Sequence, residues 1–253
     1  MTSFEADCKS ARVQPSPNHG ERVDGRRPDM ILLHYTGMLT ADGALDWLCR
    51  AESQVSSHYF VHENGEVVQL VPETRRAWHA GKSSWHGETD INSLSIGIEI
   101  ANAGHPGGLP DYPKEQIAAV IELCRDCVKR WSITPERVLG HSDVAPIRKV
   151  DPGEKFPWEE LHRAGVGHWV EPAMITGGRF FQRGDSGQPV EALQSMLSLY
   201  GYGTEITGEF SEKTAGDVES FQRHFRPERV DGIADFSTID TLHRLLSALP
   251  RYS

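Results

Sequence analysis

A chain of 253 residues with 38% hydrophobic and 25% charged content can bury a core, which excludes global disorder. A formal net charge of −10 excludes the broad basic faces by which proteins neutralise nucleic-acid phosphates. No run of about 18 apolar residues occurs, so no transmembrane helix is expected.

Residues 1–28 are polar, hold three of the 15 prolines, and read as an extended, partly mobile arm. They lack a basic start followed by an apolar core, so a secretory signal is not expected. MILLHY (30–35) is a short apolar run typical of a buried strand and ends at His34. ADGALDWLCRAES (41–53) reads as a helix with Ala44, Leu45, Leu48 and Cys49 inward. SHYFVHENGEVVQLV (57–71) carries a hairpin signal, two β-prone runs around Glu63-Asn64-Gly65. AWHAGKSSWHGETDIN (77–92) has no period and reads as a loop. In SLSIGIEI (93–100), Leu94, Ile96, Ile98 and Ile100 take one face of a strand and Ser95, Gly97 and Glu99 the other.

The segment 114–131 is helical by its apolar spacing. It contains the chain's one CxxC, Cys124 and Cys127, of four cysteines in all. Thiols on the apolar face of a helix are better read as packing than as metal or redox chemistry. A short strand around Val138-Leu139 precedes GHSDVAPIRKVDPG (140–153), where Pro146 and Pro152 forbid a continuous helix. FPWEELHRAG (156–165) is a short helix, the following Gly-rich stretch a linker or wrap-around segment, and three helices follow at 188–200, 211–225 and 237–248. Interleaved strands and helices predict an α/β or α+β first part, followed by a small three-helix domain. The expected divisions are an arm at 1–28, a catalytic domain at 29–165, a linker at 166–180 and the helical domain at 181–253.

The chemistry concentrates where strands end. His34 closes one buried strand, His141 follows another, and Asp151 lies ten positions further along the same loop. Two imidazoles and a carboxylate suffice for a catalytic zinc, which keeps one coordination position open, and the same set also suits non-haem iron. Chance triples are easy to draw from 12 histidines, so spacing alone leaves the set open. Glu99 adds to it, because a carboxylate on a strand with aliphatics on its other face is partly buried and needs a partner or a task. One task is general base toward an attacking water; the competing reading is a structural Glu paired with an Arg. Lys149, beside a scissile carbonyl, would stabilise a developing oxyanion, although a solvated loop position is the usual fate of lysine.

The blocks ILLHYTG, SHYFVHENGEVVQLVPE, AWHAGKSSWHG, NSLSIGIEI and GHSDVAPIRKVDPG, in that order over residues 30–158, resemble the zinc-dependent N-acetylmuramoyl-L-alanine amidases of the amidase-2 family. By that resemblance His34, His141 and Asp151 fall on the zinc ligands, Glu99 on the acid/base and Lys149 on the oxyanion-stabilising position. Trp78, His79 and Asn102 lie in segments that flank the family's substrate groove. The pieces RGDSGQPVEALQSMLSLYGY, GEFSEKTAGDVESFQRHF and VDGIADFSTIDTLHRLL resemble a peptidoglycan-binding domain of the three-helix type. The usual motif there has a Gly where this chain has Asp235 or Phe236.

The resemblance implies an α/β fold with a central mixed β-sheet flanked by helices, and an enzyme that uses Zn2+ to cleave the amide between N-acetylmuramic acid, in its ordinary or 1,6-anhydro form, and the L-alanine of the stem peptide. Its partner is peptidoglycan or a muropeptide, in cell-wall turnover or recycling. The alternatives are a non-catalytic peptidoglycan sensor on the same fold and a non-haem iron oxygenase; Glu99 and Lys149 disfavour the first, Glu99 and the C-terminal domain the second. Few cysteines and no signal favour the cytoplasm, and a wall-binding domain favours the periplasm as the alternative.

Overall fold

The computed structural model describes residues 4–178 and 180–249. Its strands are β1 (Arg12–Val13), β2 (His19–Glu21), β3 (Met30–Tyr35), β4 (Tyr59–Val61), β5 (Val67–Gln69), β6 (Arg75–Ala77), β7 (Ser95–Ile100) and β8 (Val138–Gly140). Its helices are α1 (Ala41–Leu48), α2 (Ile91–Leu94), α3 (Lys114–Trp131), α4 (His141–Val144), α5 (Trp158–Arg163), α6 (Gln188–Tyr200), α7 (Glu212–Phe225) and α8 (Phe236–Ser247).

Six strands form one mixed sheet in the order β1-β5-β4-β7-β3-β8, in which only β4 and β5 pair antiparallel; β2 and β6 form a separate antiparallel pair. β4 is apolar on both faces and β3 nearly so, whereas β7 is aliphatic on one face and carries Ser95, Gly97 and Glu99 on the other. Ile31, Leu33, Ile96, Ile98 and Ile100 pack with Ile117, Val120 and Cys124 of α3 and with Trp158 and Leu161 of α5. On the opposite face, Phe60 and Val68 meet Ala44, Leu45 and Leu48 of α1. Met30, Leu32 and Leu139 share a cluster with Val190, Leu197, Phe221 and Leu242 of the three C-terminal helices. Those helices therefore cover part of the sheet. Segment 165–178 has no regular structure and wraps between the two parts, with Val166 and Ala173 buried.

The structure departs from the sequence reading in three places. The first is the arm, expected over 1–28, whose described residues 4–28 are docked rather than mobile: β1 extends the main sheet, and Arg22, 5% exposed, donates to the carbonyls of Glu73, Ser93 and Ser95. The second is the helix expected over 41–53, which breaks after Leu48 because the arm takes its terminal carbonyls. Ser16 Oγ donates to Leu48 O at 2.6 Å and Asn18 Nδ2 to Arg50 O at 2.7 Å, and a single helical turn, 51–53, follows. The third is the strand expected from residue 93, which begins at Ser95. Residues 91–94 make a helical turn, closed where Ser95 Oγ donates to Ile91 O at 2.6 Å. In the C-terminal helices, Asp235 caps α8 by accepting from Thr238 N at 2.8 Å, a role the usual Gly cannot fill.

Candidate active site

The register of the sheet builds the site. β3 and β7 pair with His34 opposite Glu99, Leu32 opposite Gly97 and Met30 opposite Ser95, so all six share one face. His34 and Glu99 stand toward the carboxyl ends of their strands, and His141 follows β8 directly, where open α/β sheets form their functional crevices. The crevice is a cleft of about 350 Å³. His34, His79, His141, Asp151, Glu99 and Lys149 line it on the polar side, and Met38, Trp47, Val55 and Trp78 on the apolar side.

His34 Nδ1, His141 Nδ1 and Asp151 Oδ2 form a near-equilateral triangle with sides of 2.9, 3.0 and 3.0 Å, all three residues buried. Their other atoms fix how they point. His141 Nε2 donates to Ala80 O at 3.0 Å, which leaves its Nδ1 with a lone pair when the ring is neutral. That lone pair faces the Asp151 carboxylate. Acceptor faces acceptor at hydrogen-bond distance, an arrangement that a shared cation satisfies. The donor set also fits zinc, whose nitrogen and oxygen bonds run about 2.0–2.2 Å.

His34 is oriented by a directed chain. With Nδ1 kept free, its Nε2–H points at His79 Nδ1, 3.0 Å away. His79 Nε2 then donates to Ser95 Oγ at 3.2 Å, and Ser95 donates on to Ile91 O. Burial, and then the neighbouring His141, depress His34 to about 4, so the ring is neutral near pH 7 and able to ligate. Gly97 makes room for this chain, since a Cβ there would sit 2.5 Å from His79 Cγ. Such outer partners are what hold metal-binding imidazoles in one tautomer and one orientation.

Glu99 Oε2 is enclosed and has no hydrogen-bond partner among the described residues. Burial, and then the negative charge of Asp151, push its carboxyl up to about 8, against the opposing pull of Lys149. A carboxyl poised this close to neutrality is suited to taking and returning a proton. Lys149 is half-buried, has no ion pair among the described residues, and opens onto the same cleft. Its neighbour Arg148 is spent on structure and donates to Ala80 O and Lys82 O.

The expected substrate-groove residues separate. Trp78 lines the cleft, and His79 lines it while supporting His34. Asn102 does not line it: the side chain is buried, donates to Pro110 O at 3.0 Å and accepts from Gly104 N at 2.8 Å, so both its groups are used within the loop. Trp47 was missed. The helical period that turns Ala44, Leu45 and Leu48 inward leaves this large ring outward, 44% exposed, and that was the signal. The CxxC thiols of α3 are buried and unbridged, and Cys127 donates to Glu73 Oε1 at 3.3 Å, in keeping with packing.

Sheet, cleft and donor cluster define a class of protein: an α/β protein whose cleft holds three buried donors able to bind a metal ion beside an enclosed carboxylate. Comparison with known proteins gives the family. A model of N-acetylmuramoyl-L-alanine amidases matches residues 24–154, and one of a putative peptidoglycan binding domain matches residues 186–242. N-acetylmuramoyl-L-alanine amidase AmiD of Escherichia coli K12 is 37% identical over 226 residues, 84% of this chain and 80% of AmiD. The 1,6-anhydro-N-acetylmuramyl-L-alanine amidase AmpD of Enterobacter cloacae is 31% identical over 60% of this chain and 88% of its own length. Among solved structures, AmiD in complex with anhydro-N-acetylmuramic acid-L-Ala-D-gamma-Glu-L-Lys superposes with a TM-score of 0.74 at 35% identity, over 89% of this chain and 91% of that one. AmpDh3 of Pseudomonas aeruginosa gives 0.72 at 30% identity, over 99% of this chain and 100% of its own.

The chain belongs to the N-acetylmuramoyl-L-alanine amidase family. It is an amidase of the bond between N-acetylmuramic acid and L-alanine. Among the described residues no helix is long and apolar enough to cross a membrane.

Proposed function

We propose that this chain holds a single zinc ion through His34 Nδ1, His141 Nδ1 and Asp151, and cleaves the lactyl–L-alanine amide of muropeptides with Glu99 and Lys149. The observation that carries the reading is the enclosed, unpartnered Glu99 Oε2 opening onto the same cleft as the three donors. Zinc bound there supplies Lewis acidity toward water and the amide carbonyl.

The chain's own residues do the rest. Glu99, as carboxylate, takes a proton from the water that adds to the carbonyl carbon. The Lys149 ammonium lies beside the oxygen on which negative charge develops. Glu99 then returns the proton to the alanine nitrogen as the C–N bond breaks, leaving a lactyl carboxylic acid and a free stem peptide. His79 and Ser95 keep His34 in the tautomer the site requires. The apolar wall of Trp47, Trp78 and Met38 shields one side of the scissile bond from water.

The anhydro sugar of the ligand bound by AmiD supports a soluble muropeptide as substrate, in wall recycling. The cytoplasm is the compartment that goes with this reading, supported by four cysteines that are all unbridged; fractionation of the producing cell tests it. Incubating the zinc-loaded protein with an anhydromuramoyl-tripeptide and following free tripeptide by mass spectrometry tests the function. Release by the parent and release slowed at least about 100-fold in Glu99→Ala is the expected result. Equal release by both removes Glu99 from the chemistry.

A further inference from the structure

His141 opens the short turn α4, and that turn is held from outside the catalytic sheet. Ser220 Oγ, on α7, donates to Ser142 O at 2.6 Å. Tyr202 OH, just beyond α6, donates to Asp143 Oδ1 at 2.8 Å, and His224 Nδ1 lies 2.7 Å from Asp143 Oδ2. Asp143 is fully buried, and its remaining bond, from Gly140 N at 2.8 Å, comes from the turn itself. Ser142 N meanwhile donates to Asp151 O at 2.9 Å and so ties the turn to another donor of the cluster.

The clamp is rigid on the C-terminal side too. The His224 ring lies flat against Trp158 of α5 and against Phe225, with ring centroids 3.7 Å apart in each case. Tyr202 is edge-on to the fully buried Trp85. Gly201 lets the chain pass this close, since a Cβ there would lie 2.4 Å from the Trp85 ring. A buried carboxylate with all its bonds satisfied is costly to disturb, because breaking any one leaves a desolvated group unpaired. The turn therefore has one seating only while the C-terminal helices are in place.

We propose that the C-terminal helices complete the metal centre, with Ser220, Tyr202 and His224 as positioning residues that set His141 through Ser142 and Asp143. The inference rests on His141 being a ligand. It gives the helical unit a role in the amidase reaction itself, separate from any contact it makes with the wall polymer. Reciprocity follows: whatever tightens metal binding also tightens the docking of these helices.

The test removes single hydroxyls from the full chain, as Tyr202→Phe and Ser220→Ala. Glu73→Gln, in the buried network of Tyr59, Arg130 and Trp131, is the control for stability loss alone. Zn2+ affinity is measured by chelator competition, and ligand geometry by the visible absorption of the Co2+ form. Outer-shell changes commonly weaken metal binding about 10–100-fold, and these act through one backbone step, so about 10-fold is expected, with an altered cobalt spectrum. The control should match or exceed them in lost thermal stability yet keep parental affinity and spectrum. Parental affinity and spectrum in both hydroxyl variants would mean that the helices only cover the sheet. A parent that takes up no zinc would instead overturn the ligand assignment, and this inference with it.

Discussion

In the proposed mechanism Glu99 and Lys149 carry opposite duties at one cleft, and each has a separable signature. Glu99→Ala should keep its zinc and lose about 10²–10⁴-fold in turnover, the usual contribution of a general base. Lys149→Met should lower kcat about 10²–10³-fold with KM unchanged, because its ammonium meets full charge only in the transition state. Steady-state kinetics on a soluble muropeptide checks both; a raised KM with kcat intact would make Lys149 a substrate-binding cation. Gly97→Ala should weaken metal binding without touching a ligand, since its Cβ displaces His79 and so the support of His34. The convergence of residues was legible where they sat at strand ends or broke an apolar alternation, as His34, His141 and Glu99 do. It was not legible for Asn102, whose amide is committed to Pro110 and Gly104 by loop geometry that no spacing encodes.

At the scale of elements, local pattern found the long helices and the central strands, because their apolar periods are uninterrupted. It failed where a distant segment supplies the decisive bonds, as Ser16 and Asn18 end α1 and Arg22 seats the arm. The same burial predicts acid sensitivity. His58 accepts from Gly97 N at 2.9 Å, and burial, then the charge of Arg22, depress it to about 3. Its folded value lies below its unfolded value of about 6.5, so its contribution is fully present above that pH. As pH falls toward 3 the unfolded chain takes the proton first, and stability drops by up to about 1.4 kcal/mol per pH unit. Urea denaturation of the metal-free protein at pH 7 and pH 5 should show this loss, reduced in His58→Gln. Equal losses in the two proteins would assign the acid sensitivity to other groups.

Across the whole molecule, the sequence suggested a separable helical unit, and the structure gives that unit a share of the sheet's own cover. Met30, Leu32, Leu139 and Val144 are all at most 1% exposed, in a cluster with α6, α7 and α8. A chain ending near residue 175 would open that apolar surface, at about 25 cal/mol per Å² exposed, and should aggregate or melt well below the parent. A truncation that stays monomeric, keeps its melting temperature and binds zinc would show the cover to be dispensable. A ligand bound only by the folded state stabilises it by about 4 kcal/mol at a thousand times its Kd, so chelation should lower the parent's Tm and leave that of His141→Ala unchanged. The central claim, that three buried side chains from β3 and the 140–153 loop hold one metal ion for amide hydrolysis, is tested most directly by the zinc-to-protein ratio of His141→Ala beside the parent and Glu99→Ala. We predict about one zinc per chain in the parent and in Glu99→Ala, and close to none in His141→Ala, since two ligands do not make a closed site. Stoichiometric zinc retained by His141→Ala would contradict it.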